Sequence, residues 1–413
     1  MFSGGFARDY LKLAGGSVGR LVISLAYFLV AANVLSLTDF GYFATASAAG
    51  VILSRVAGFG FISPLFRAAT VRPRLTGVYL AGFCLAFAVS LPLVAILAFG
   101  LHGLLFAGMP LLAFALVIGA EVLGWRLLET VAIVNNGLRR FGRASTLVLL
   151  GSLIRTLAAL GFWLFGWSDL VAWAWWYCGA NLAAAALAFL MFMPPARLRL
   201  APRLYAARLR DALSAAAADI VFYLQNELDK AVVLAAAGPR MAGLYAIAMR
   251  VVDLTAMPVR SFNQLAMQKA MTDRRLAARR STLVVTEIGV AAVSVAALAA
   301  VTVALWLRPG MLGGNIQSAA ALFPLLILVP AFRNLIEYHA ELLYALERTP
   351  LRAALLAAIA LLKALGIWAA ILWSAGAGHD WAPWLNLIFA GLYALSAAVT
   401  YGAARKGGAR PPA

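Results

Sequence analysis

The sequence predicts an all-α polytopic membrane protein of twelve transmembrane helices in two six-helix lobes. Three observations predict it. Hydrophobic residues make up 64% of the 413 and charged ones 12%, with a mean hydropathy of +0.90, so most of the chain cannot face water. Apolar segments of about 20 residues, enough to cross a ~30 Å hydrocarbon core, recur between short polar breaks. Lysine and arginine gather in every second break.

In the first half the expected spans run 13–34, 40–66, 76–100, 108–134, 145–167 and 169–193. Span 1 is too long for a signal-peptide core and carries Arg20, so it reads as a permanent helix, with cleavage near the small Ala31 and Ala32 as the alternative. Span 2 carries Arg55, and span 3 carries Pro92. Span 4 holds Glu121, Trp125 and Glu129 on one helical face, with Arg126 beside them. Span 5 holds Arg155, and its outer end opens the cluster Phe162, Trp163, Trp167, Trp173, Trp175, Trp176 and Tyr177, which reads as an interfacial aromatic belt. The segment PPARLRLAPRLYAARLRD at 194–211 is too short to fold alone. The expected division is therefore an N-terminal lobe at 1–193, a cytoplasmic basic linker at 194–211, a C-terminal lobe at 212–404 and a cytoplasmic tail at 405–413.

The second-half spans run 212–236, 241–268, 282–307, 317–345, 353–374 and 382–404. Span 7 carries the stripe Asp219, Tyr223, Asn226 and Lys230, with Gln225 and Asp229 alongside. Span 8 carries a longer one: Arg250, Asp253, Met257, Arg260, Gln264 and Gln268. Glu287 lies in span 9, Arg333, Glu337 and Glu341 in span 10, and Lys363 in span 11. Pro92, Pro258, Pro324 and Pro330 are candidate bending points. DFGYFATA at 39–46 lies over MAGLYAIA at 241–248, which fits two parallel repeats about an axis along the membrane normal.

Net charge is +18, yet the basic residues form no single patch. Of 34 Lys and Arg, 23 fall in the breaks on the side of the N-terminus and two in the opposite breaks. That asymmetry predicts a bacterial cytoplasmic (inner) membrane with both termini cytoplasmic, and no nucleic-acid partner is needed to explain the charge. Cys84 and Cys178 read as buried hydrophobes, with no disulfide framework or zinc site.

A charge at mid-bilayer costs about 2.5–3.5 kcal/mol on insertion scales, so the intramembrane charges must face protein or water. Arg126 with Glu129, Glu227 with Lys230 and Arg333 with Glu337 have partners three or four residues away and read as structural pairs. Arg20 and Arg55 have no acid on their own helix. A guanidinium holds two phosphate oxygens at once and keeps its charge when desolvated, so these two are candidates for an anionic ligand. A salt bridge across helices, for instance to Glu121, is the alternative. No nucleotide-phosphate motif, HExxH or metal-type Cys/His spacing occurs, and His339 is two residues from Glu341, on another helix face. No catalysis, metal or bound cofactor is expected. The enzyme alternative, a membrane polymerase or ligase acting on lipid-linked sugars, calls for an outer loop longer than these.

LSLTDFGYFATASAAGVILSRVAGFGF in spans 1 and 2 and NELDKAVVLAAAGPRMAGLYAIAMRVV across spans 7 and 8, with NNGLRRFGRAS and ELLYALERTPLRA, resemble the multidrug/oligosaccharidyl-lipid/polysaccharide (MOP) exporter superfamily, in particular its Wzx-type polysaccharide and O-antigen flippases. The resemblance covers the whole chain and names no particular sugar. It implies a MATE-like fold, V-shaped around a central cavity open to one side at a time, and a flippase moving polyprenyl-diphosphate-linked oligosaccharide to the outer leaflet for lipopolysaccharide or other surface polysaccharide. By helix and depth, the implied diphosphate and glycan residues are Arg20, Arg55, Arg250 and Arg260, joined by Tyr27 and Asn226. Asp229, with Asp253 second, is the implied coupling residue for a proton or sodium gradient. Implied partners are the lipid-linked glycan, membrane lipid, a polysaccharide polymerase and chain-length proteins. The runner-up is a cation-coupled multidrug exporter of the MATE type, binding aromatic cations through Glu121, Asp229, Glu337 or Glu341. A major-facilitator sugar carrier stands third, because FRAATVRPR lacks that family's loop between spans 2 and 3.

Overall fold

The computed structural model describes residues 22–272, 280–374 and 381–407, and among them every regular element is helical. Helix α1 (Val22–Val34) is followed by Ser36, whose hydroxyl accepts the Asp39 N–H at 3.0 Å and so caps α2 (Leu37–Val56). The sequence predicts one span over 40–66, but the helix breaks at Gly58, Phe59 and Gly60, all at positive φ (77°, 47° and 70°), and resumes as α3 (Ile62–Val71). A break at bilayer depth must have its freed backbone groups satisfied by protein. Gly58 N–H donates to Ser90 Oγ at 2.8 Å, and Gly60 lies so close to the following half-chain that a Cβ there would sit 2.1 Å from the Ala212 carbonyl oxygen.

Helix α4 (Thr76–Leu105) runs through Pro92 as one helix. Helix α5 (Leu111–Gly137) contains a π-helical stretch, Ala120–Trp125, that includes the buried Glu121. Helices α6 (Phe141–Leu164) and α7 (Leu170–Phe192) pack on α5 through Leu128, Val131, Leu147 and Ala184. The helical stretch Pro202–Thr272 breaks at Gly238 (φ 82°, ψ 173°) into α8 (202–237) and α9 (239–272). It starts inside the expected linker, where Tyr205 OH donates to the Val78 carbonyl at 2.8 Å. Next come α10 (Arg280–Leu307) and α11 (Gly314–Ala320). A 53° bend at Pro324 leads into α12 (Val329–Ala345), followed by α13 (Thr349–Trp373) and α14 (Trp384–Gly407).

Among the described residues eight helices are long and apolar enough to cross a membrane, or nine if α11 and α12 form one bent span. The twelve expected segments are compatible with this, because α1, the broken α2–α3 and the doubled stretch ending at Leu254 supply the rest. The chain is a multi-pass α-helical membrane protein.

Contacts divide the described chain into two compact units, 23–234 and 235–407, so most of α8 packs with α1–α7. Each unit contains the same turn. After α5, Arg139 takes φ 59° and Arg140 N–H donates to the Asn135 carbonyl at 2.8 Å. After α12, Glu347 takes φ 59° and Arg348 N–H donates to the Leu343 carbonyl at 2.9 Å. Both are left-handed helix stops that launch the next helix at once, which supports the internal repeat.

Two expectations need correcting. Trp173 (2% exposed), Phe162 and Tyr177 lie in the core, where Trp173 meets Phe162 and Phe43 edge-to-face, so the exposed Trp163, Trp167 and Trp175 and the half-buried Trp176 are what is left for a belt. Of the two free cysteines Cys178 is buried, but Cys84 is exposed.

Candidate functional site

In the N-terminal unit Glu129 of α5 gathers two arginines. Arg55 Nη1 of α2 approaches Oε2 at 2.7 Å and Arg126 Nη1 approaches the same oxygen at 2.9 Å. The arginine side chains are 4% and 1% exposed. Arg55 also lies 4.2 Å from the Tyr223 ring centre, and Asp219 of α8 acts electrostatically on both arginines. The acid that Arg55 lacks on its own helix thus comes from α5, and it is Glu129. Glu121, the cross-helix partner named from the sequence, instead accepts hydrogen bonds from Ser47 Oγ (2.6 Å) and Tyr177 OH (2.5 Å). The Arg126–Glu129 and Glu227–Lys230 pairs form as their spacing predicts.

Tyr27 lies 5.9 Å from the guanidinium of Arg155, which stacks on Trp125 at 4.2 Å. Arg155 is half-buried and has no ion pair among the described residues. A sequence signal for it exists, since α6 carries no acid that could pair with Arg155. Asn226 donates to the Phe222 carbonyl of its own helix, and Asp229 is buried, its Oδ1 accepting Lys230 N–H at 3.1 Å. Arg20 lies outside the described residues.

The C-terminal unit builds a second cluster from α9 and α12. Arg260 grips Glu337 in parallel, Nε to Oε2 at 2.9 Å and Nη2 to Oε1 at 2.6 Å. Arg333 Nη2 holds Asp253 at 2.7 Å, and Asp253 also lies 3.9 Å from Arg260. The Arg260 side chain is 46% exposed, so this guanidinium keeps an open face, whereas Arg55 and Arg126 are sealed within their own unit. Arg250 is half-buried on the same helix. Glu341 holds Arg352 of α13 at 2.8 Å.

No protein-family profile and no curated protein sequence matches the chain. Solved structures do. A multidrug resistance MATE family transporter of the MOP superfamily, inward-facing, superposes with TM-score 0.63 at 13% identity over 98% of both chains. A MOP superfamily transporter from Pyrococcus furiosus Vc1 gives 0.62 at 13% identity, over 98% of this chain and 95% of the other. The lipid II flippase MurJ, inward closed, gives 0.67 at 12% identity, over 94% of this chain and 86% of the other. The chain has the MOP-transporter fold.

Within that fold the two arginine clusters are repeat-related. Counted back from the turns at Arg139 and Glu347, Glu129 and Glu337 hold the same position, and each is gripped by an arginine from the second helical segment of its half. The sequence paired Arg333 with Glu337 by spacing, whereas Arg260 holds Glu337 and Arg333 reaches Asp253.

Proposed function

We propose that this chain is an alternating-access flippase of the MOP fold in the bacterial inner membrane, with both termini cytoplasmic. It moves a polyprenyl-diphosphate-linked oligosaccharide from the inner to the outer leaflet for surface polysaccharide synthesis. The observation that carries the reading is the open face of Arg260 beside Arg333: an approaching ligand meets a guanidinium already charge-balanced by carboxylates that a diphosphate can replace. Arg55 is sealed against Glu129 and Tyr223. Asp229 and Asp253 stay the candidate ion-coupling residues of this reading.

The drug-exporter alternative needs carboxylates free for a cation. Glu121 is held by Ser47 and Tyr177, Glu337 by Arg260 and Glu341 by Arg352, while Asp229 is buried. That disfavours it. Deletion of the gene separates the two readings. Loss of surface glycan with unchanged tolerance of cationic dyes and antibiotics is expected, and intact glycan with raised drug sensitivity would reverse the assignment.

A further inference from the structure

The transport reading leaves unused a cluster of titratable side chains inside the C-terminal unit. His339 of α12 is fully buried. Its Nε2 lies 2.7 Å from Glu287 Oε1 on α10, and its Nδ1 lies 3.1 Å from Ser396 Oγ on α14. Glu287 also accepts hydrogen bonds from Tyr393 OH at 2.8 Å and from Tyr401 OH. The Tyr393 ring stacks on the imidazole at 5.6 Å, and Tyr401 meets it edge-on at 5.5 Å.

Apolar layers close the cluster on both sides. Leu283, Tyr338 and Leu342 pack toward the loop ends, and Val259, Val290 and Leu335 pack deeper. Glu287 is seven residues inside the start of α10, and His339 and Tyr401 are each six inside the ends of α12 and α14. At 1.5 Å per residue the cluster therefore lies roughly 10 Å beneath the face that carries the basic loops. Among the described side chains, the other charged groups on the surrounding helices are Arg240 and Arg250 of α9, Arg405 of α14, Lys363 and Arg352 of α13, the latter on Glu341, and the Asp253–Arg333 and Arg260–Glu337 pairs of α9 and α12. The cluster has no repeat counterpart for its histidine. Counted back from the two matching turns, the place of His339 is taken in the first half by the buried Val131.

We propose that Glu287 and His339 form a proton-binding site in the C-terminal unit. The hydrogen bonds fit both states of the imidazole. Unprotonated, Nε2–H donates to Glu287 and Nδ1 accepts from the Ser396 hydroxyl; with one proton added, Nδ1–H donates to the same oxygen, because a hydroxyl can serve either way. The step is one proton gained by the ring, with no bond to a heavy atom made or broken. Glu287 then faces an imidazolium, and an ion pair replaces a neutral contact. A metal cation fits poorly, since three donors already occupy the two carboxylate oxygens, and no group of three His, Cys, Asp or Glu side chains suited to a metal occurs among the described residues. The site itself rests on this geometry alone; only the use of its proton to drive transport rests on the proposed function.

The test is a pH titration of full-length protein in nanodiscs, labelled with ¹⁵N in the histidine rings and followed by solid-state NMR, with His339→Gln assigning the resonance. The expected result is that His339 passes from the neutral to the protonated signature as pH falls. Glu287→Gln should move the midpoint to lower pH by at least tenfold in proton concentration, because the anion that stabilises the imidazolium is gone. Tyr401→Phe, which keeps the ring and removes one donor from Glu287, should move it to higher pH. A His339 signature that does not change between pH 5 and 9 would overturn the proposal, as would midpoints unmoved in both variants. Neither result would touch the flippase reading, which deletion of the gene tests separately.

Discussion

Arg260 holds both oxygens of Glu337, whereas Arg55 reaches one oxygen of Glu129 and shares it with Arg126. These are the same contact in two repeats, sealed in one and open in the other. The difference in burial sets different consequences for breaking them.

Removing the Glu129 charge leaves two sealed guanidinium groups with no partner at bonding distance. Glu129→Gln is expected to destabilise the protein by about 3–5 kcal/mol, the cost of breaking a buried pair. Glu337→Gln, beside a half-exposed arginine, should cost about 1 kcal/mol or less. Thermal unfolding of both variants in the same detergent measures the contrast.

Gly60 sits at φ 70° with the Ala212 carbonyl where a Cβ would go. Gly60→Ala combines a left-handed backbone penalty with a backbone clash and should cost at least ~2 kcal/mol, read as lost folded yield and a lowered Tm. Gly100→Ala, where nothing lies within 4 Å of a new Cβ, is the control and should fold normally.

Arg260→Lys keeps a point charge but loses the parallel grip, so it should retain a fraction of glycan export in a complementation assay. Arg260→Ala should lose at least tenfold. Equal export by both variants would separate Arg260 from substrate.

Orientation follows from the basic breaks. In a background without Cys84 and Cys178, a cysteine replacing Arg197 should react with a membrane-impermeant maleimide only after the cells are opened. One replacing Arg308 should react in intact cells.

Much of the fold was legible because bilayer length and positive charge act on whole segments, and segments average over local detail. The broken α2–α3 was not: the GFGF at 58–61 was in plain view, but a twenty-residue apolar window covers it, and only contact with Ser90 and Ala212 makes the break tenable. Partner choice was half legible. Arg126–Glu129 follows from helical spacing, whereas Arg55–Glu129 and Arg260–Glu337 join residues more than seventy positions apart, which no periodicity encodes. His339 has no partner at helical spacing, since Glu341 lies on another face; its actual partner, Glu287, comes from a different helix.

The most direct test is translocation itself. Purified protein is reconstituted into liposomes carrying a polyprenyl-diphosphate disaccharide with a fluorescent label on the sugar, and an impermeant quencher is added outside. The account predicts that wild-type protein moves label between leaflets, exposing more of it to the quencher, and that Arg260→Ala slows this at least tenfold at equal folded protein. No movement by the wild type, or a rate unchanged in Arg260→Ala, would contradict it.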